Sequence, residues 1–143
     1  MKTRILLLIL MLQTGILIQA QNLSAIGNAA SVPASMSFSD LKSIFKGDKM
    51  TFSNGTKVTL ALMRSNTAAG GTTCQKVYET SCDAVTKFWL GKAMGSNSAP
   101  AFFNSVGELQ AFVAGRAGAI GIIDLSPPVA GVRVITIDGK NSF

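Results

Sequence analysis

Residues 57–79 read KVTLALMRSNTAAGGTTCQKVYE, and this stretch decides the fold class. Lys57 to Met63 alternates polar and apolar side chains before closing as a run (Val58, Leu60, Ala61, Leu62, Met63), which predicts a β-strand. Arg64 to Thr73 is then a loop of small residues, and a helical pattern resumes near Thr72, with Thr72 as its cap, and continues to Glu79. A strand leading through a glycine-bearing loop into a helix is the opening half of a βαβ unit, the connection that parallel strands require.

The same alternation extends outward from this stretch. A second helix is expected from Cys82 to about Lys92, burying Val85, Phe88 and Trp89. Residues 95–100 read as a loop, and Ser105-Val106-Gly107-Glu108 fits a capping box opening a helix with Leu109, Phe112 and Val113, ended by Gly115. Ala119 to Ile123 is a short apolar strand, Pro127-Pro128 a turn, and Val132 to Ile137 a last strand. Towards the N-terminus, Ser53 to Thr56 is a turn signal, and Ser39-Asp40 caps an amphipathic helix with Leu41, Ile44 and Phe45, stopped at Gly47. Residues 21–38 are small and polar, with Leu23–Ile26 the one strand-like patch and Val32-Pro33 a turn or extended piece. The expected fold class is α/β, a mixed or largely parallel sheet flanked by helices.

The first 20 residues have a different character. Lys2 and Arg4 precede an uncharged apolar run from Ile5 to Leu12, and the small Ala20 stands at a plausible cut before Gln21. This is the pattern of a cleavable secretory signal peptide. The rival is an uncleaved membrane anchor, but Gln13, Thr14 and Gly15 interrupt the run before the roughly 20 apolar residues a span needs. Residues 21–143 then form one domain, long enough for a single core, and no later segment has the apolarity of a span.

Export bears on the cysteines and the charge. Cys74 and Cys82 are the only two, and an isolated pair in an oxidising compartment is read as a disulfide, with two unpaired thiols as the alternative. On one unbroken helix their Cα atoms would lie about 12 Å apart, too far to bond. The disulfide therefore predicts two helices meeting at a corner near Ser81, which caps the second. The formal charge is +6, and loss of Lys2 and Arg4 leaves 11 basic against seven acidic residues, +4. The bases are scattered singly, so nucleic acid is not an expected partner. With no histidine, no G-x-S-x-G elbow and no paired acids, no enzyme, metal site or cofactor is expected, and nothing points to a Ser–Lys hydrolase.

Four motifs in order carry a family resemblance. Residues 39–47, SDLKSIFKG, resemble the "LS-x-x-E-L-x-x-I-F-x-G-K" segment of the periplasmic phosphate-binding proteins of ABC transporters. Phe52-Ser53-Asn54-Gly55 is similar to that family's "W-x-D-G", Phe88-Trp89 to its "YW", and residues 118–122, GAIGI, to its "GAIGY". The match covers most of residues 23–138. It implies a type 2 periplasmic binding fold, whose two α/β lobes close on a ligand; a chain of this length carries one lobe.

The resemblance also implies a site. The family's "R-S-D-G-S-G-T" loop contacts phosphate, and the matching stretch here begins at Arg64 and ends at Thr73. Arg64, Ser65, Gly70, Gly71, Thr72 and Thr73 are the expected ligand-binding residues, the glycines because they let backbone N–H groups approach an oxyanion. This sequence departs from the family in having Asn66 in place of the acid and a longer loop. The implied function is an exported phosphate-type substrate-binding-like protein, holding phosphate or another small oxyanion for a transporter in the periplasm or secreted. The alternative is an envelope interaction or scaffold module that keeps the lobe without the ligand, and a self-associating pair of lobes is a third arrangement. Phe88 and Trp89 are expected in the core, Asp124 either at a site or in a turn, and Phe102-Phe103 in a loop, anchored on the core or, as the alternative, forming an exposed contact patch.

Overall fold

The computed structural model describes residues 22–93 and 99–143; the leader and most of the 95–100 loop lie outside the described residues. Six strands make one mixed sheet: β1 (Ser24–Asn28), β2 (Ser35–Met36), β3 (Thr59–Met63), β4 (Ala101–Phe103), β5 (Ala119–Ile123) and β6 (Val132–Ile137). Their order is β2-β6-β1-β5-β3-β4. The helices are α1 (Phe38–Phe45), α2 (Ala68–Thr73), α3 (Cys82–Ala93) and α4 (Val106–Ala114), with a π-helical turn, Cys74–Tyr78, extending α2.

β3, β5 and β6 stand where the alternation of the sequence places strands. β3 lies parallel to β5, Leu60 opposite Ile120, and parallel to β4, Ala61 opposite Ala101. The intervening helices supply the crossovers that parallel pairing demands. β1 differs in direction, running antiparallel to both of its neighbours, with Ile26 opposite Gly121 and Val134. All five of its residues are buried, so the strand-like patch expected at Leu23–Ile26 becomes, ending two residues further on, a central strand. Its small side chains let neighbours close in. A Cβ on Gly27 would lie 2.7 Å from Val32 Cγ1 and 3.0 Å from Ile135 Cδ1.

Asn28 closes β1 with every side-chain polar group engaged. Its amide donates to the carbonyls of Val113 (3.0 Å) and Ala114 (3.2 Å), and its oxygen accepts from Ala30 N–H (3.1 Å) and the Ser31 hydroxyl (2.9 Å). This ties the end of α4 to the sheet and satisfies carbonyls that a helix C-terminus leaves open. Leu23, Ile26, Leu41, Phe45, Ile120 and Ile135 are fully buried in the surrounding core.

Three local expectations are corrected. The cap of α1 is Ser37, whose hydroxyl accepts from Asp40 N–H at 3.1 Å, so Ser39 and Asp40 lie inside the first turn. Phe102 and Phe103 sit in β4, an edge strand of three residues that is too short to alternate visibly. Helix α2 begins at Ala68, and its cap is Thr67, five residues before the expected cap Thr72. The Ser105 capping interaction with Glu108 N–H is present at 3.2 Å.

Candidate functional site

The turn between β3 and α2 is fixed by its backbone. Arg64 N–H donates to Phe103 O (2.9 Å), while Arg64 O accepts from Thr67 N–H (3.0 Å) and from the Thr67 hydroxyl (2.6 Å). The same hydroxyl oxygen accepts from Gly70 N–H at 3.0 Å. Gly70 is required by close approach, since a Cβ there would stand 1.9 Å from Arg64 O. The side chains behave differently: those of Arg64, Ser65 and Asn66 have no hydrogen-bond or ion-pair partner among the described residues.

The six expected site residues therefore divide. Arg64 and Ser65 present free donors at the strand end. Gly70 and Gly71 lie within α2, where Gly70 N–H is bound to Thr67 Oγ1 and Gly71 N–H to Thr67 O (3.0 Å). Thr72 and Thr73 are helical too, and their hydroxyls donate back to Ala68 O (3.0 Å) and Ala69 O (2.7 Å). A hydroxyl whose proton is committed offers only lone pairs, which an anion does not seek.

Arg64, Ser65 and Asn66 open onto a cavity of about 390 Å³ between β3, the β4 edge and α3. Much of its wall is apolar: Tyr78, Val85, Trp89, Leu90 and Phe102 come from three separate elements. The two polar atoms of that wall satisfy each other, because Trp89 Nε1–H donates to the Tyr78 hydroxyl (3.1 Å), which donates to Phe45 O (2.7 Å). Burial raises the Tyr78 pKa above its ordinary value by disfavouring the phenolate, and the Trp89 hydrogen bond offsets this only in part. Trp89 is in the core, 3 % exposed, as its helix position predicts, whereas Phe88 is 39 % exposed and packs edge-on against Trp89 with Lys92 over its ring. Tyr78, Leu90 and Phe102 carry no sequence signal for a site, since only the fold gathers them.

A disulfide joins Cys74 to Cys82 with Cα atoms 5.3 Å apart, and both residues line the cavity. The corner it needs is present: Glu79 is left-handed (φ 58°), and the Ser81 hydroxyl accepts from Ala84 N–H at 3.2 Å at the start of α3. The bond thus ties the start of α3 to the end of α2. Asp124 is a turn residue, its carboxylate accepting from the Ser126 hydroxyl. Among the described residues no group of three or more Cys, Asp or Glu is placed to hold a metal ion, and no helix is long and apolar enough to cross a membrane.

No protein-family model matches the sequence, and no curated protein matches it. Solved structures do. An ABC-type phosphate transport receptor from Vibrio cholerae superposes with a TM-score of 0.66 at 14 % identity, over 86 % of this chain and 49 % of the receptor. A putative phosphate ABC transporter substrate-binding protein from Clostridium perfringens, solved with bound phosphate, gives 0.65 at 12 % identity, over 86 % and 48 %. PstS from Borrelia burgdorferi gives 0.57 at 13 % identity, over 84 % and 48 %. The fold is that of one receptor lobe. The chain spans about half the length of these receptors. Within the lobe, β1 is the antiparallel member of the sheet, and the Arg64 turn follows the C-terminal end of a parallel strand. That strand end is where α/β sheets characteristically hold ligands.

Proposed function

We propose that this lobe is exported after loss of residues 1–20, that residues 21–143 are its mature domain, and that it acts in the periplasm or as a secreted protein. There it holds a small oxyanion such as phosphate at Arg64 and Ser65, for a transporter and without enzymatic activity. The supporting observation is the pairing of a receptor-lobe fold with a strand-end arginine that has no partner among the described residues. Phosphate or sulfate should raise the melting temperature of the mature chain in a concentration-dependent way. Arg64→Ala should weaken affinity by about 1.5–3 kcal/mol, the worth of hydrogen bonds to a charged group. Unchanged melting at every concentration would retire the reading.

The rival, an envelope scaffold that keeps the lobe without the ligand, is favoured by one observation. Gly70, Gly71, Thr72 and Thr73 all have partners inside α2. A specific envelope protein captured by the mature chain, with no anion response, would establish it.

A further inference from the structure

The cavity behind Arg64 is much larger than a tetrahedral oxyanion needs: about 390 Å³, in the range that holds drug-sized ligands. Most of its lining is apolar. Arg64, Ser65 and Asn66, consecutive in the turn after β3, bring side-chain donors with no partner among the described residues. Other side-chain donors among the described lining residues are committed: Trp89 Nε1–H to Tyr78, the Tyr78 hydroxyl to Phe45 O, Thr73 to Ala69 O and Thr86 to Cys82 O. An inorganic oxyanion at Arg64 would leave this space to water that finds few partners there, and water needs two to four polar partners to be held. Apolar surface placed in the same space is favoured. Leu90 (62 % exposed) and Phe102 (39 % exposed) are large apolar side chains at the open side, and an occupant would cover them. Among the described residues no carboxylate lines the cavity, so none of them accepts a proton from the bound group.

We propose that the Arg64 site takes an organic anion, a carboxylate or sulfonate on an aromatic or branched apolar body, with its head on Arg64, Ser65 and Asn66 and its body against Val85, Trp89, Leu90 and Phe102. This names the ligand class of the same site and rests on the anion-binding reading above.

The test is titration calorimetry on the mature, disulfide-bonded chain with benzenesulfonate and phenylacetate, compared with methanesulfonate, acetate, phosphate and sulfate, and with neutral benzyl alcohol. The aryl anions should bind at least tenfold more tightly than their short analogues. Arg64→Ala should cost the aryl anions about tenfold or more, in line with loss of a charge-assisted hydrogen bond. Leu90→Ser, at an exposed position, should weaken the aryl anions about fivefold and leave phosphate affinity unchanged. Binding of phosphate or sulfate as tight as that of the aryl anions would overturn the ligand class while leaving the anion site standing. Equal binding of benzyl alcohol and phenylacetate would overturn the anion reading as well, as would silence across the whole panel.

Discussion

Asn28 and Arg64 each end a buried strand, at opposite ends of the sheet, and they handle polarity in opposite ways. At Asn28 the side chain is spent: both donors and the acceptor are engaged by neighbouring backbone and a hydroxyl. At Arg64 the backbone does the holding, through Phe103 and Thr67, and the side chains of residues 64–66 are left over. A buried polar group with all its bonds made specifies structure. Donors left free beside an apolar cavity, on a turn whose backbone is fixed, are what the proposed anion site requires.

The largest expected effect breaks the backbone half of this contrast. Gly70→Ala puts a methyl group where Arg64 O already lies, 1.9 Å from the ideal Cβ position. The obstacle is main chain, which cannot rotate away as a long side chain would. The expected loss of stability is about 3 kcal/mol or more, the upper range for overpacking. Urea unfolding of the purified variant measures it, and a loss under about 1 kcal/mol would mean that the turn is soft and the comparison misplaced.

Asn28→Ala comes next. It strips a partner from Ala114 O and Ala30 N–H at once, leaves Val113 O only the backbone N–H groups at the helix end, and Asn28 is only 7 % exposed. A loss of about 2–3 kcal/mol is expected by the same denaturation, the cost of leaving buried groups unsatisfied. Water entering the corner and replacing those bonds would show as a much smaller loss, and Asn28 would then be replaceable.

How legible each corner is in the sequence follows the same physics. β3, β5 and β6 are readable because Leu60, Ile122 and Ile135 belong to apolar runs or alternations, and α4 because Ser105 and Glu108 announce its start. β1 is only half legible: Leu23–Ile26 reads as strand-like, but Gly27 and Asn28 are small or polar, and their burial is a property of what packs on them. The start of α2 is hidden for a related reason: Ala68-Ala69-Gly70-Gly71 has two of the poorest helix formers in its middle, and tertiary approach to Arg64 overrides propensity. That displacement moved the candidate site. Read as loop, residues 70–73 offer donors; folded as helix, they spend them. Arg64 and Ser65 are singled out by the resemblance of their loop to the family's phosphate-contacting segment, whereas the apolar wall is assembled from α3, the π-helical turn and β4, which no local pattern connects.

The smallest expected effect is the one that sharpens the comparison most. If the Arg64 and Ser65 side chains serve no part of the fold, Arg64→Ala and Ser65→Ala should each change unfolding free energy by no more than about 0.5 kcal/mol, as surface substitutions usually do. The bonds that fix the turn use Arg64 N–H and Arg64 O, which alanine retains. Set against Asn28→Ala, the pair asks whether polarity at a strand end is structural or held in reserve. A loss above about 1 kcal/mol for Arg64→Ala in ligand-free buffer would assign the guanidinium a structural partner. The two strand ends would then be alike, and the case for a ligand at Arg64 would lose its footing in the geometry.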